Sequence, residues 1–156
     1  MKRLAAALEH KVPPPLIGAL CASLMWLICG MPPLTGRPPL LLVPTLALVV
    51  LGLTVDAAGV LSFRRARTTV NPFAPERTVN IVSSGIYRLS RNPMYLGMAC
   101  ILTGWAVWLW QVQAALGVVL FVAWITRFQI IPEERVLTQK FGTEYRQYRQ
   151  RVRRWV

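Results

Sequence analysis

Four long apolar segments, separated by short polar stretches, constrain this chain more than any other feature of its sequence. They cover residues 16–31, 40–63, 94–110 and 112–131. At about 1.5 Å per residue, a helix of each length reaches across most or all of a hydrocarbon core about 30 Å thick. Hydrophobic residues make up 54% of the 156 residues, which is too apolar for a soluble domain of this size. The sequence therefore predicts a single all-α integral membrane domain with about four transmembrane helices.

The basic residues give this domain an orientation. Of the 18 Lys and Arg residues, all but Arg37 fall on one side of a four-span topology. Positive charge is retained on the cytoplasmic side of membranes, so both termini are predicted to be cytoplasmic and the protein to lie in the cell (inner) membrane. The lipid bilayer explains a net charge of +12 without a nucleic-acid partner, and none is predicted. The sequence indicates no oligomeric state.

Cysteine and histidine usage argues against metal chemistry. The three cysteines, Cys21, Cys29 and Cys100, all lie within apolar segments, where a thiol packs as a small hydrophobic group. His10 is the only histidine in the sequence, so neither a histidine metal site nor a Ser-His-Asp triad is expected. No metal is predicted.

The third and fourth apolar segments are separated only by the polar residues around Gln111 and are predicted to form a tight antiparallel hairpin. Two polar regions flank this hairpin. Residues 64–91 contain turn formers at 71–72 and 74–75 and are predicted to form an ordered cytoplasmic loop. From Pro132 onward, apolar residues at helical spacing alternate with charges. This pattern predicts an amphipathic helix along the cytoplasmic interface, broken at Gly142.

The first candidate constellation opens the third apolar segment. Asn92 precedes a proline and fits the N-cap of a helix, whose free N–H groups favour an anion. Arg88 and Arg91 add positive charge beside that helix end, and Gly97 permits the close approach of a ligand or another helix. An ordinary helix entry flanked by cytoplasmic arginines is the alternative interpretation.

The second constellation closes the fourth apolar segment. Glu133 and Glu134 follow Pro132 and need a cationic partner where a helix leaves the bilayer. Arg127 and Glu134 are two helical turns apart and share one face of an unbroken α-helix, so a zwitterion fits between them. The alternative is an Arg/Glu network that ties the tail to the 64–91 loop.

Asp56 lies in the middle of the second apolar segment, where an ionisable side chain indicates a functional site by default. The sequence contains no second intramembrane acid that would form a relay with it. We therefore predict a structural or substrate-facing role for Asp56 rather than proton transport.

Three ordered motifs carry a family resemblance. They read Gly85-x-Tyr87-Arg88-x-x-Arg91-Asn92-Pro93-x-Tyr95-x-Gly97, then Pro132-Glu133-Glu134-x-x-Leu137, then Phe141-Gly142-x-x-Tyr145-x-x-Tyr148. Together they resemble the isoprenylcysteine carboxyl methyltransferase and phospholipid methyltransferase superfamily. The resemblance covers about residues 70–156, which would form a cofactor-binding core, whereas residues 1–69 would form an N-terminal helical hairpin and carry none of the motifs.

The resemblance implies S-adenosylmethionine as cofactor, with S-adenosylhomocysteine as product. It implies a cofactor site lined by Tyr87, Arg91, Asn92, Pro93, Tyr95 and Gly97, with Glu133 and Glu134 on the ammonium or ribose of the cofactor. The charge pattern adds Arg88 and Arg127 to this predicted site, and Arg91, Asn92 and Glu134 form its predicted catalytic set. The family often has His where this chain has Asn92. An amide still caps a helix and donates hydrogen bonds there, but it does not titrate as an imidazole does.

The function implied by the resemblance is methyl transfer to a lipophilic, membrane-associated acceptor at the cytoplasmic face. Two rival hypotheses stay open at this point. One is an NADPH-dependent membrane reductase of the sterol-reductase type, whose C-terminal motifs are related. The other is a non-enzymatic membrane scaffold, which would leave Glu133 and Glu134 unexplained.

Overall fold

The computed structural model describes Glu9, residues 11–66 and residues 80–156. The predictions for Lys2, Arg3 and His10, and for the turn formers and basic residues within 67–79, lie outside the described residues. Regular structure in the described residues is entirely helical, as predicted. The α-helices are α1 (Pro14–Ile28), α2 (Leu42–Arg65), α3 (Pro93–Leu109), α4 (Ala115–Ile125) and α5 (Ile131–Arg151). Short 3₁₀ turns precede three of them, at Pro39–Leu41, Gly85–Arg88 and Val112–Ala114, and a π-helical turn, Thr126–Ile130, joins α4 to α5.

The ends of α3 are set by residues that suit them. Pro93 occupies its first turn, where the missing N–H would have no intrahelical partner. At the other end, Trp110 adopts a left-handed conformation with φ 53° and donates to the carbonyls of Ala106 and Val107 at 3.2 and 3.1 Å. Only Gln111 separates this cap from the 3₁₀ turn that leads into α4. The predicted tight hairpin between the third and fourth apolar segments is thus present.

The chain remains helical through Pro132, which lies in the first turn of α5 directly after the π turn. A π turn closes i to i+5 hydrogen bonds and so contains an extra residue relative to an α-helix. The predicted break at Gly142 is confirmed, because this residue has φ 52° and ψ −116° within α5.

Helices α1 and α4 run antiparallel, as their end-to-end hydrogen bonds establish. The side chain of Gln111, before α4, donates to the carbonyl of Cys29 at the end of α1 at 2.9 Å. Gln129, beyond α4, donates to the carbonyl of Val12 just before α1 at 2.8 Å. Between these points the core is formed by buried residues of α1, α3 and α4, among them Met25, Leu102 and Phe121.

Helices α2 and α3 cross closely through glycines. A Cβ atom on Gly97 would overlap the carboxyl group of Asp56 and the carbonyl oxygen of Gly52. Two helical turns further along α3, a Cβ on Gly104 would lie 3.1 Å from the carbonyl oxygen of Thr45. Small residues at such positions let two helix backbones approach each other without side chains between them.

The outer surfaces of α1, α2 and α4 are apolar. Two continuous helical stretches, Pro39–Arg65 and Val112–Arg151, are long and apolar enough to cross a membrane, whereas Pro14–Ile28 and Pro93–Leu109 are apolar but shorter. Large aliphatic side chains on α2 and α4 face outward, including Val43, Leu53 and Val119. An exposed apolar surface of this extent is typical of a lipid-facing protein.

Candidate functional site

The loop before α3 turns sharply at Gly85 and ends at Asn92. Gly85 has φ +60° and begins a 3₁₀ turn whose Tyr87 is buried. Asn92 occupies the N-cap position of α3, as predicted, but its side chain makes no capping hydrogen bond. The Asn92 side-chain amide instead donates to the carbonyl of Arg154 at 2.9 Å, and its backbone N–H donates to the hydroxyl of Ser90 at 3.1 Å.

Arg91 projects from this loop onto Glu134 of α5. Its Nη1 lies 2.9 Å from Oε1 of Glu134, and both side chains are only 8% exposed. The two predicted constellations are therefore in direct contact. Both Nε and Nη1 of Arg91 are buried without a hydrogen-bond partner among the described residues, so its contact with Glu134 is an ion pair rather than an aligned hydrogen bond.

Glu134 has a second cationic partner that follows α5 in the chain. Arg154 donates from Nε to Oε1 at 3.0 Å and from Nη2 to Oε2 at 2.8 Å. Arg149 is a more distant third partner, with its Nη2 3.8 Å from Oε2. A carboxylate held bidentately by one arginine and contacted by a second is fully engaged in ionic hydrogen bonds.

Tyrosines surround this ion cluster. The hydroxyl of Tyr95 donates to Oε1 of Glu133 at 2.7 Å, and the hydroxyl of Tyr148 donates to the carbonyl of Tyr87 at 2.7 Å. The rings of Tyr145 and Tyr148 lie 6.1 Å apart. Burial and the nearby charge of Glu134 raise the pKa of Tyr145 to about 12, against the opposing effect of Arg91, so its phenol stays a neutral donor at physiological pH.

The two adjacent glutamates lie beyond the apolar segment and in opposite electrostatic environments. Burial alone would raise the pKa of Glu134, but the hydrogen bonds from Arg154 and the charges of Arg91 and Arg149 outweigh it and lower that pKa. Burial raises the pKa of Glu133 to about 7, helped by the charge of Glu134 and opposed by the hydrogen bond from Tyr95. Neighbouring carboxyls whose pKa values are pushed apart can take different roles.

Two predicted site residues have other neighbours in the structure. The side chain of Arg127 is 45% exposed and pairs with Glu9 at 3.2 Å, so it does not enclose a zwitterion with Glu134 as expected. The intervening π turn explains this, since an extra residue rotates the following helix by about 100°. Arg88 is exposed and forms no ion pair with any residue that the structure describes.

Gly97 serves the helix crossing, which was one of its two predicted uses. The carboxyl group of Asp56 lies over it, and Oδ1 of Asp56 is buried without a hydrogen-bond partner among the described residues. Pro93 is buried in the first turn of α3. Among the predicted residues, Arg91, Asn92, Tyr95, Glu133 and Glu134 thus share direct contacts with one another or with Arg154.

A family comparison agrees with this arrangement. A model of the phospholipid methyltransferase family matches residues 41–144, more than half of the chain. This chain belongs to the phospholipid methyltransferase family. The match begins about thirty residues before position 70, where the motif resemblance was placed, and so includes α2 of the N-terminal hairpin.

Individual relatives of this phospholipid methyltransferase family member extend the comparison. An uncharacterized protein of Haemophilus influenzae is 51% identical over 63 residues, which make up 40% of this chain and 100% of that protein. Protein-S-isoprenylcysteine O-methyltransferase A of Arabidopsis thaliana is 31% identical over 108 residues, 69% of this chain and 54% of that protein. A probable protein-S-isoprenylcysteine O-methyltransferase of Oryza sativa subsp. japonica is 32% identical over 108 residues, 69% of this chain and 56% of that protein.

The chain spans about half the length of the named methyltransferases that it matches. No solved structure matches it. The predicted superfamily is confirmed, and with it the prediction of an enzyme, since the family and the named relatives are methyltransferases.

The sequence did not point to Arg154 or Arg149 as partners of Glu134 in this family member. Both lie in an arginine-rich stretch that positive-inside placement explains on its own. They also follow residue 144, where the family match ends. The alternative interpretation of an Arg/Glu network tying the tail to the loop did describe the observed contacts.

Proposed function

We propose that this chain transfers the methyl group of S-adenosylmethionine to a lipophilic acceptor at the cytoplasmic face of the cell membrane. Family membership supports methyl transfer. The observation that carries the proposal is the contact between the Arg91 loop and the Glu133–Glu134 pair. This contact places a guanidinium whose Nε has no described hydrogen-bond partner beside carboxylates at the end of an apolar helix. S-adenosylmethionine carries a carboxylate, an ammonium group and a sulfonium, so it needs both signs of charge in one site.

The described residues fit such a ligand. No described residue accepts a hydrogen bond from the buried Nε of Arg91, so this donor suits a carboxylate. Tyr95 engages Oε1 of Glu133, and no described residue donates to its Oε2, which suits an ammonium or ribose hydroxyl group. Glu134 is already held by Arg91 and Arg154, so we assign it to the support of Arg91 rather than to direct contact with the ligand.

The residues of the site would promote the reaction by orienting the reactants rather than by covalent catalysis. S-adenosylmethionine, when bound, would supply a methyl group activated by its sulfonium: the acceptor would bond to the methyl carbon in line as the methyl–sulfur bond breaks and S-adenosylhomocysteine leaves. The residues described here orient the two ends of the donor and exclude water, which accelerates such a displacement through proximity without a covalent catalyst. Tyrosine rings such as that of Tyr145 offer faces that favour positive charge.

We also propose that all four apolar segments cross the membrane, with Glu9 and residue 156 on the cytoplasmic side. The antiparallel order of α1 and α4 and the distribution of arginines support this topology. The candidate site then lies at the cytoplasmic surface, and the lipid-facing sides of α2 and α4 give a lipophilic acceptor access from the bilayer.

Titration calorimetry on the purified protein in detergent tests the proposal. We expect micromolar binding of S-adenosylmethionine and S-adenosylhomocysteine and no heat with NADPH. Arg91→Ala should weaken binding of both by about tenfold to a hundredfold, the usual effect of losing an ionic hydrogen bond. Arg146→Ala, which removes an exposed arginine of α5 outside the predicted site, is the matched control and should bind as the wild type does.

Two outcomes would contradict this assignment. Heat with NADPH alone would indicate the reductase, and no heat with any of the three ligands in folded protein would indicate a scaffold. If S-adenosylmethionine binds as expected, incubation of membrane extracts with the labelled compound would identify the acceptor by the label that it takes up.

A further inference from the structure

Residues 152–155, beyond the family match, fold back onto the loop that carries Arg91. The backbone N–H of Arg91 donates to the carbonyl of Arg153 at 3.0 Å. The hydroxyl of Ser90 and the side chain of Asn92 both donate to the carbonyl of Arg154, at 3.3 and 2.9 Å. The indole of Trp155 donates to the hydroxyl of Thr126 at 3.2 Å. This segment, which we call the return segment, is therefore fixed at both the loop and the π turn.

Within the return segment, Arg154 alone sends its side chain to Glu134. Its guanidinium occupies both carboxylate oxygens, while Arg91 approaches Oε1 from the loop. One carboxylate thus faces two close guanidinium groups and a third at 3.8 Å. The cluster has an excess of positive charge, so Arg91 is left with attraction for a further anionic group.

We propose that Arg154 is a positioning residue for the carboxylate end of the methyl donor. It holds Glu134 bidentately, and Glu134 in turn holds the Nη1 side of Arg91, so that the buried Nε side of Arg91 is presented to the ligand. The inference rests on the proposed function, because the ligand group it assigns is the amino-acid carboxylate of S-adenosylmethionine. The ammonium group is left to Glu133, whose Tyr95 hydrogen bond engages only Oε1.

A purely structural role for Arg154 would make a different prediction. If the return segment merely stabilised the fold, losing Arg154 would weaken every ligand of the site to a similar degree. If Arg154 positions Arg91, its loss should affect ligands that carry the carboxylate and spare those that lack it. A pair of ligands that differ only in this group separates the two roles.

The experiment compares S-adenosylhomocysteine with its decarboxylated analogue, S-adenosyl-3-thiopropylamine, by calorimetry in detergent. The wild type should bind the decarboxylated compound about tenfold to a hundredfold more weakly, the effect of one lost ionic hydrogen bond. We call this ratio of the two affinities the affinity gap. In Arg154→Ala the gap should shrink to about twofold or less, because S-adenosylhomocysteine should bind more weakly. Arg154→Lys, which keeps the charge but not the bidentate fork, should show an intermediate gap.

Arg153→Ala is the matched control, because Arg153 contributes only its backbone carbonyl to these contacts and its side chain is exposed. It should retain the wild-type gap. Thermal unfolding of each variant checks the fold, and if Arg154→Ala does not fold, the Arg154→Lys comparison decides alone.

The failures of the two proposals are distinguishable. If the wild type binds neither compound, the proposed function is wrong. If the wild type shows a gap that Arg154→Ala and Arg154→Lys both retain in full, the cofactor site stands and the role of Arg154 is overturned. A wild type that binds both compounds equally would remove the assignment of the ligand carboxylate to Arg91, and with it this inference.

Discussion

Glu133 and Glu134 are adjacent in the sequence, yet their surroundings differ in charge. Successive helical residues point about 100° apart, which turns Glu134 toward Arg91 and Arg154 and turns Glu133 toward the hydroxyl of Tyr95. Glu134 is consequently ionised over the physiological range, whereas Glu133 gains and loses a proton near neutral pH. The pair therefore combines a fixed charge with a titrating one.

Ligand affinity should follow the ionisation of Glu133. With its pKa at about 7, this carboxyl is mostly neutral about one unit below that value and mostly charged about one unit above it. Because an ammonium group needs the charged form, binding of S-adenosylhomocysteine should strengthen as the pH rises through this window. Calorimetry across the window checks this, and Glu133→Gln should bind more weakly and without the pH dependence. A flat wild-type profile would exclude Glu133 as the ammonium ligand.

Loss of Glu134 should destabilise the fold. A folded-state pKa below the unfolded value means that Glu134 stabilises the protein above about pH 4.3 and that this contribution disappears as the pH falls through the folded-state pKa. At pH 7, Glu134→Gln leaves two arginines without their carboxylate, and breaking a buried pair costs about 3 kcal/mol. Thermal unfolding in detergent should show a lower midpoint at neutral pH and a smaller difference in acid. Glu144→Gln, a change at an exposed residue of the same helix, should leave the unfolding midpoint unchanged at both pH values. A Glu134→Gln variant as stable as the wild type would contradict the buried network.

At the scale of helices, the contact between α2 and α3 depends on the absence of side chains. Gly97→Ala would place a methyl group onto the carboxyl of Asp56 and the carbonyl of Gly52, and overpacking of this kind costs about 1–3 kcal/mol. We expect a lower unfolding midpoint in detergent. Asp56→Ala should not rescue it, because the Gly52 carbonyl remains in the way.

Gly18→Ala is the control for this change, since its nearest neighbour would be an atom of Phe121 at 3.9 Å. That variant should be neutral or stabilised by up to about 1 kcal/mol from helix propensity. Equal behaviour of the two alanine variants would show that the crossing is not as close as described.

The kink in α5 brings the tyrosines of its second half back toward the loop. Gly142 has φ 52° and ψ −116° with open space around it. An alanine there would not clash, but its side chain disfavours this backbone conformation by about 1–3 kcal/mol. Gly142→Ala should straighten α5, separate Tyr148 from the Tyr87 carbonyl and weaken S-adenosylhomocysteine binding. Calorimetry tests this, with Thr143→Ala, an exposed neighbour, as control. Undiminished affinity in Gly142→Ala would show that the kink does not position the site.

The sequence predicted the helices well and their relative rotation poorly. Apolar length and the prolines at positions 93 and 132 locate helix positions because these signals are local. The expectation that Arg127 and Glu134 share one helix face failed because the π turn at Thr126–Ile130 rotates the helix that follows it. Nothing in the local sequence marks such a turn. The contact between Arg154 and Glu134 joins residues that are 20 positions apart across a kink, so spacing could not predict it.

In the whole molecule, the ion pairs among the described residues lie at one end of the helical bundle. Glu9 bridges Arg127 and Arg135 at 3.2 Å each, and the return segment bridges the Arg91 loop and Glu134. The opposite end is closed by the hydrogen bond between Gln111 and Cys29 and by the hydrogen bond from the Trp26 indole to the carbonyl of Pro32. Ion pairs therefore stabilise the end of the bundle that carries the candidate site, whereas hydrogen bonds between neutral groups close the opposite end.

This polarity leads to a prediction about membrane orientation. Thr35 and Ser84 are exposed residues in loops at opposite ends of the bundle, so single cysteines at these positions report on opposite sides if all four apolar segments cross. In a background where Cys21, Cys29 and Cys100 are replaced by Ala, a membrane-impermeant maleimide should label Thr35→Cys in intact cells and Ser84→Cys only after permeabilisation. The positive-inside distribution requires this result, because Arg37 is the one basic residue on the Thr35 side. Labelling of both positions from outside would mean that the segment between them, residues 40–63, does not cross the membrane, and the candidate site would then face away from a cytoplasmic supply of methyl donor.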